Sequence, residues 1–363
     1  AKIYINNGTS LVESSQWQNQ LGGVQRGNIA FGDVNNDGKL DLVLSGYKET
    51  VTEVTEIYIN NGTGLIESSE WGDDLIPEGE SSVLFGDYNN DGYLDLLTCG
   101  HTTGDHCYLY KNNGSTLLLN QTRDDGLPGI YSASIAFGDY DNDGDLDLAG
   151  MGWEYGRTKI YENNETNNYY FQNDATAHLN ISDDLFMGAL AFGDYDNDRD
   201  LDLSLFGYEY AQGLKAKVYP SNASLTKNNT LPSPPNLSFL SSYSTANNQL
   251  TLSWGNGSDA ETNTSGLYYN LMVGNSTTNN TIVSGVYGGE SGSNEGGGGG
   301  ANGYFGNMMQ RKNITLNLIL NAGTYYWYIQ TIDTGLAKSN WSNRQSFTVS
   351  SDITPPNISS ISS

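Results

Sequence analysis

FGDVNNDGKLDLVLSG, residues 31–46, decides the fold, because close copies of it recur along the chain. The relatives are FGDYNNDGYLDLLTCG from Phe85, FGDYDNDGDLDLAGMG from Phe137 and FGDYDNDRDLDLSLFG from Phe192, with starts 52–55 residues apart. A second element alternates with them, reading KIYINNG at Lys2, EIYINNG at Glu56, CYLYKNNG at Cys107, KIYENN at Lys159 and KVYPSN at Lys217. A fixed period of this size means one supersecondary unit repeated, each copy burying a face of the next. The unit reads as four strands: one ending in FGD, one beginning at LDL, the IY segment ending in a turn, and a less regular fourth. Leu42-Val43-Leu44 is apolar on both faces. That suits a sheet packed between two others, as in a propeller blade.

Between the first and second strands lies an acidic loop with a fixed spacing of oxygen donors. The first loop offers Asp33, Asn35, Asp37, the Lys39 carbonyl and Asp41. The second offers Asp87, Asn89, Asp91, the Tyr93 carbonyl and Asp95. The third offers Asp139, Asp141, Asp143, the Asp145 carbonyl and Asp147, and the fourth Asp194, Asp196, Asp198, the Asp200 carbonyl and Asp202. Calcium takes six to eight oxygens, and alternate side chains of a curled loop can all face one point. Gly38, Gly92 and Gly144 supply the left-handed turn this needs. Arg199 stands in the fourth loop where the others have glycine, so that site is expected to be the weakest. An EF-hand is excluded: loop position twelve is Leu44, Thr98, Gly150 or Leu205 rather than Glu, and the flanks read as strands.

These residues carry a resemblance. FGDxxNDGxLDL, followed by Gly46-Tyr47, Gly152-Trp153 or Gly207-Tyr208 and then IYINNGTG, resembles the FG-GAP repeat of integrin α-type propellers and their secreted prokaryotic relatives. It covers about residues 1–222 and implies calcium in the loops, with adhesion, extracellular scaffolding or sugar binding as function. Such propellers usually have seven blades, whereas four repeats and an N-terminal half unit are present here. Strand edges left open by a half blade are normally covered. Upstream blades, a smaller ring, or strands from a neighbouring molecule would each cover them.

The propeller region is expected over 1–230, ending at Pro232, Pro234 and Pro235. A sandwich of about seven strands is expected over 231–350, from NLSFL, QLTLSW, LYYNLMVG, TIVSGVY, NITLNLIL, TYYWYIQTID and RQSFTV. The segments LNAGTYYWYIQTID and SNWSNRQSFTV resemble a fibronectin type III domain, with Trp254 as core anchor and Tyr325 or Tyr326 as its tyrosine corner. A Gly-rich loop over 288–307 reads as a linker or a close-packing contact, and 351–363 as a linker or interaction tail.

Composition bounds the function. The formal charge of −26 disfavours nucleic acid as a partner. No apolar run is long enough to span a membrane as a helix. Cys99 and Cys107 read as a disulfide across a hairpin or as two half-buried thiols. The chain opens on AKIYINNG, which reads as a mature or excised product with any targeting segment outside it. Asn-x-Ser/Thr occurs at Asn7, Asn61, Asn113, Asn120, Asn164, Asn180, Asn222, Asn228, Asn236, Asn256, Asn263, Asn275, Asn279, Asn313, Asn340 and Asn357. The excess points to a secreted, N-glycosylated surface, or else to unused sequons. His101, His106 and His178 offer no recognisable catalytic set, and the aspartates are committed to loops, so no enzyme is expected. Expected partners are other copies of the chain, or cell-surface proteins and glycans. A carbohydrate-binding propeller is the alternative, with Tyr47, Trp153 and Tyr208 as stacking rings.

Overall fold

The computed structural model of the chain describes residues 2–6, 10–14, 21–48, 52–122, 126–153, 158–166, 169–173, 181, 185–196, 198–209, 212–221, 229–236, 238–276, 282–283, 308 and 310–350. Outside them lie Asn7, Asn180, Asn222, Asn228, Asn279, Asn357, most of TIVSGVY, the Gly-rich loop and residues 351–363.

The described chain is all-β, with antiparallel sheets and one helical turn, α1 (Ser69–Gly72). A hairpin of β1 (Tyr4–Asn6) and β2 (Leu11–Glu13) comes first. The first sheet is β3 (Val24–Gly32), β4 (Asp41–Lys48), β5 (Thr52–Asn60) and β6 (Leu65–Glu67). The second is β7 (Gly79–Gly86), β8 (Asp95–His101), β9 (Asp105–Asn112) and β10 (Leu117–Gln121). The third is β11 (Tyr131–Gly138), β12 (Asp147–Trp153), β13 (Lys159–Thr166) and β14 (Tyr169–Asn173). The fourth holds β15 (Leu185–Gly193), β16 (Asp202–Glu209) and β17 (Gly213–Tyr219). Each sequence repeat therefore folds as one meander, and each FGD segment is its first strand.

The leading strands β3, β7, β11 and β15 lie side by side, so the sheets stack in sequence order. The FG dipeptide makes that stacking possible. A Cβ on Gly32 would fall 2.6 Å from the Phe85 ring, one on Gly86 2.5 Å from Phe137, and one on Gly138 2.8 Å from Phe192. The glycine of one repeat is thus the seat for the phenylalanine of the next. Phe85, Phe137 and Phe192 are buried there, but Phe31 is 41% exposed, with only the β1–β2 hairpin before it. At the other end a Cβ on Gly193 would meet nothing within 4 Å. At the N-terminal end Ile3, Leu21, Val24 and Val54 pack on the buried Leu42, Leu44, Tyr58 and Leu65 of the first sheet.

Each leading strand also carries a bulge that no residue pattern announces. Arg26, Glu80, Ser132 and Met187 sit at φ 46–51°, in the left-handed region. The register slips beside each of them. A bulge adds twist and re-aims the strand. Neighbouring bulges touch: Arg26 pairs with Glu80 at 2.7 Å, and the Ser132 hydroxyl donates to Glu80 at 2.9 Å. Within the second sheet Cys99 and Cys107 lie directly opposite one another on β8 and β9 and are joined as a disulfide.

The C-terminal part forms two sheets, β18 (Leu240–Ser244), β19 (Gln249–Ser253) and β21 (Asn313–Asn317) against β20 (Tyr268–Gly274), β22 (Gly323–Ile332) and β23 (Gln345–Val349). Trp254, Trp327, Leu250, Leu271 and Ile329 share the core between them. The strand expected at NLSFL is displaced to Leu240–Ser244. Ser238 at φ 63° breaks the extended run, and Asn248 at φ 52° closes a hairpin that sets the register with β19. Alternation along β20 divides its side chains between two cores. Tyr269 and Leu271 face the C-terminal core, while Tyr268, paired with Ile332, enters the core of the repeat stack.

Because Phe137 is seated on Gly86 and fully enclosed, Phe137→Ala should destabilise by about 3–5 kcal/mol. Phe31→Ala, at a ring 41% exposed, should cost under about 1.5 kcal/mol. Equal urea midpoints for the two variants would contradict this account of stacking.

Candidate metal centres

Each acidic loop joins a leading strand to the next strand of the same sheet and closes on its own backbone. In the first, Asp33 accepts from the Asp37 N–H through Oδ1 and from the Gly38 N–H through Oδ2, both at 2.9 Å. Asp87 does the same with Asp91 and Gly92, and Asp139 with Asp143 and Gly144. Asp194 takes Asp198 and Arg199. Gly38, Gly92 and Gly144 lie at φ 89–96°, the turn expected of them. Arg199 is forced to φ 76°, a conformation that costs a side-chain-bearing residue about 1–2 kcal/mol.

The last aspartate of each loop reaches back across the sheet. Asp41 holds the Asn60 N–H at 2.8 Å, Asp95 the Asn112 N–H at 2.7 Å, Asp147 the Asn163 N–H at 2.8 Å and Asp202 the Ser221 N–H at 2.8 Å. The middle aspartate turns inward instead. The Oδ1 of Asp37, Asp91, Asp143 and Asp198 accepts from the N–H two residues on. Carboxylate oxygens of Asp139, Asp141 and Asp147 lie within 4.8 Å of one another, and so do those of Asp194, Asp196 and Asp202. In the first two loops Asn35 and Asn89 take the place of the middle member of that trio.

Burial raises these acids. Asp41 and Asp87 are pushed up to about 7 and Asp139 to about 8, while Asp95 and Asp147 lie well above the carboxylate range. Loss of hydration is the main cause, and neighbouring carboxylates add to it. The Asp95 Oδ2 is buried and takes no hydrogen bond. All-oxygen donors, crowded acids and an orphaned carboxylate oxygen fit a hard divalent cation. Lys39, Tyr93, Asp145 and Asp200, whose carbonyls the sequence offered as donors, have their N–H groups on the middle aspartates.

Sequence reasoning missed the residues that join one loop to the next. Asn36 donates to the Gly92 carbonyl at 3.2 Å. Asn90 donates to the Gly144 carbonyl at 3.1 Å and to Asp145 at 2.7 Å, and Asn142 donates to Asp200 at 2.7 Å. Asn36, Asn90 and Asn142 all sit at φ 55–60°, which asparagine tolerates. The signal was present, because every copy carries an asparagine before its middle aspartate. Of the proposed stacking rings, Tyr47 is a packing residue: a Cβ on Gly79 would fall 2.1 Å from its ring. Trp153 and Tyr208 are 39% and 41% exposed, each edge-on to Phe186. Sequon asparagines 61, 113, 120, 164, 236, 256, 263, 275, 313 and 340 are all exposed.

A family model described as FG-GAP-like repeat matches residues 87–150, which span the second loop, the third loop and the chain between them. No curated protein matches the sequence. Among solved structures, the chain is similar to the extracellular domain of a one component system from B. thetaiotaomicron, at 11% identity and a TM-score of 0.27 over 87% of this chain and 35% of that one. It is also similar to the extracellular domain of a hybrid two component system from the same organism, at 10% identity and a TM-score of 0.25 over 94% of this chain and 46% of that one. The chain thus spans less than half the length of either.

The raised acids fix a pH dependence. An aspartate raised in the folded state must stay protonated there after its unfolded counterpart has ionised, so the ion-free fold binds more protons than the unfolded chain and loses stability as pH rises. In chelator, the melting temperature should fall between pH 4 and pH 8, the window set by the shifts of Asp41, Asp87 and Asp139. Millimolar calcium should flatten the fall. A chelated protein equally stable across that range would contradict the burial of these acids. Arg199→Gly, by relieving the left-handed strain, should add about 1 kcal/mol.

Proposed function

We propose that the chain is a calcium-stabilised structural or adhesion module on the outside of a cell. Its repeats act as blades of a β-propeller, and its C-terminal sheets as a fibronectin type III-like sandwich beginning near residue 231. The observation that carries this reading is the hydrogen-bonded series of loops, Asn36 to the second, Asn90 to the third and Asn142 to the fourth. An ion in one loop fixes a turn to which the neighbouring sheet is bonded. Each ion at 100-fold saturation adds about 2.7 kcal/mol, and extracellular calcium modules need only about 10⁻⁴–10⁻³ M. Side-by-side leading strands support the propeller arc. The Tyr325 hydroxyl donating to the Asn321 carbonyl at 2.9 Å supports the sandwich as a tyrosine corner. The paired cysteines and exposed sequons support an oxidising, extracellular setting.

Exposed apolar side chains near the ends of the stack bear on partners. Ile29 and Phe31 face out at one end, and Phe206, Leu214 and Val218 at the other. Faces of this kind suit another copy of the chain, upstream blades or a cell-surface protein. A surface filament or layer is the assembly that head-to-tail contact between copies would build. No catalytic step is assigned to the aspartates, whose oxygens hold loop N–H groups. The exposed Trp153 and Tyr208 favour a second reading, carbohydrate binding, which glycan-array binding by the folded chain would support.

Calcium titration with calorimetry and electron microscopy of the native material test the main reading together. Calcium should raise the melting temperature by several degrees and accompany ordered assemblies. A melting temperature indifferent to both calcium and chelator would refute it.

A further inference from the structure

The C-terminal sandwich does not merely follow the repeat stack in sequence. It sits on the acidic loops, and it touches three of them at the same atom. In the first loop, Arg311 lies with its Nε 3.5 Å from the Asp33 Oδ2, while its Nη1 donates to the Gly38 carbonyl. In the second, Gln310 donates to the Asp87 Oδ2 and, at 3.1 Å, to the Ser265 carbonyl. In the third, the Thr334 hydroxyl donates to the Asp139 Oδ2 at 2.9 Å, and the Thr334 carbonyl accepts from the Asp139 N–H at 3.3 Å. The Oδ2 in each case is the one already held by the loop N–H at the turn: Gly38, Gly92 or Gly144. Among the described residues, the fourth loop's Asp194 Oδ2 takes only the Arg199 N–H.

The surroundings are close-packed. A Cβ on Gly144 would lie 2.1 Å from the Glu261 carbonyl oxygen, and one on Gly266 2.0 Å from Asn90. Arg311 is only 11% exposed at its side chain, so its charge is poorly screened from Asp33. A cleft of about 330 Å³, lined by Asn36, Asp91, Tyr93, Gln310, Arg311 and Lys312 among others, leaves the junction of the first two loops open to solvent.

We infer that the sandwich sets the cation affinity of the loops it covers, by placing a donor on the leading aspartate of each, and that Arg311 makes the first loop the weak one. The inference rests on the calcium reading above. The amide of Gln310 and the hydroxyl of Thr334 are neutral. They hold the leading carboxylate in place without opposing the ion, so the second and third loops are preorganised. The guanidinium of Arg311 holds Asp33 too, but adds a fixed positive charge beside the ion's seat. Arg199 in the fourth loop is exposed to solvent, where its charge is screened. Because both partners contact one aspartate, ion binding and seating of the sandwich are thermodynamically linked, and the linkage is reciprocal.

The test is isothermal calorimetry of calcium into the intact chain, comparing wild type with R311M, R311K and T334V, each checked for folding by circular dichroism in chelator and in calcium. R311M should raise the affinity of one site about tenfold, R311K should leave the isotherm near that of wild type, and T334V should weaken a different site about threefold or more. An R311M isotherm that is unchanged or weakened overturns the role of the charge. A T334V isotherm identical to wild type overturns the role of the donor, and this arm stands alone should R311M not fold. Wild-type protein that takes up no calcium would instead defeat the calcium reading itself, a distinct result.

Discussion

Buried carboxylates of like charge, held within a few ångströms of one another, cannot all stay ionised in a folded protein without a cation among them. Asp139, Asp141 and Asp147 approach that condition most nearly, while Asp194, Asp196 and Asp202 crowd likewise at a more exposed loop. The rest of the stack is tied to these turns. The last aspartate of each loop holds the end of the third strand of its own sheet, as Asp95 holds Asn112. The asparagine in the turn holds the next loop, as Asn90 holds Gly144. A change in the charge state of one loop therefore reaches both the sheet it belongs to and the sheet beside it.

The apolar side of the stack uses a different rule. Glycine at the end of each leading strand removes a Cβ so that the next phenylalanine ring can close on the backbone. Packing of this kind joins nearest neighbours only, so stability accumulates repeat by repeat. It also makes the two ends unlike. At one the Phe31 ring is 41% exposed, and at the other a Cβ on Gly193 would meet nothing within 4 Å.

Placement of the C-terminal sheets brings polar and apolar constraints together. Tyr268 and Ile332 point into the core of the stack, while the neighbouring Tyr269 faces the sandwich core. The period of two along β20 thus serves two bodies at once. Beside this apolar seam lie the contacts to Asp33, Asp87 and Asp139. Burial there raises the cost of every unpaired charge, and among the described residues the sandwich places a donor on the leading aspartate of the first three loops.

Much of this was legible in the residues alone. The period, the strand order within a repeat, the acidic loops and the glycine turns are local properties. They depend on hydrogen bonds and dihedral limits within about ten residues, and a sequence states those directly. The bulges at Glu80 and Ser132 were not legible, because neither residue type favours a left-handed backbone. They are imposed by the pairing of whole strands. Nor could the sequence place Arg311, Gln310 and Thr334 on loops more than a hundred residues away. Contacts of that range have no periodic signature. They exist only where the packing of two finished units brings a donor and a buried carboxylate to the same point.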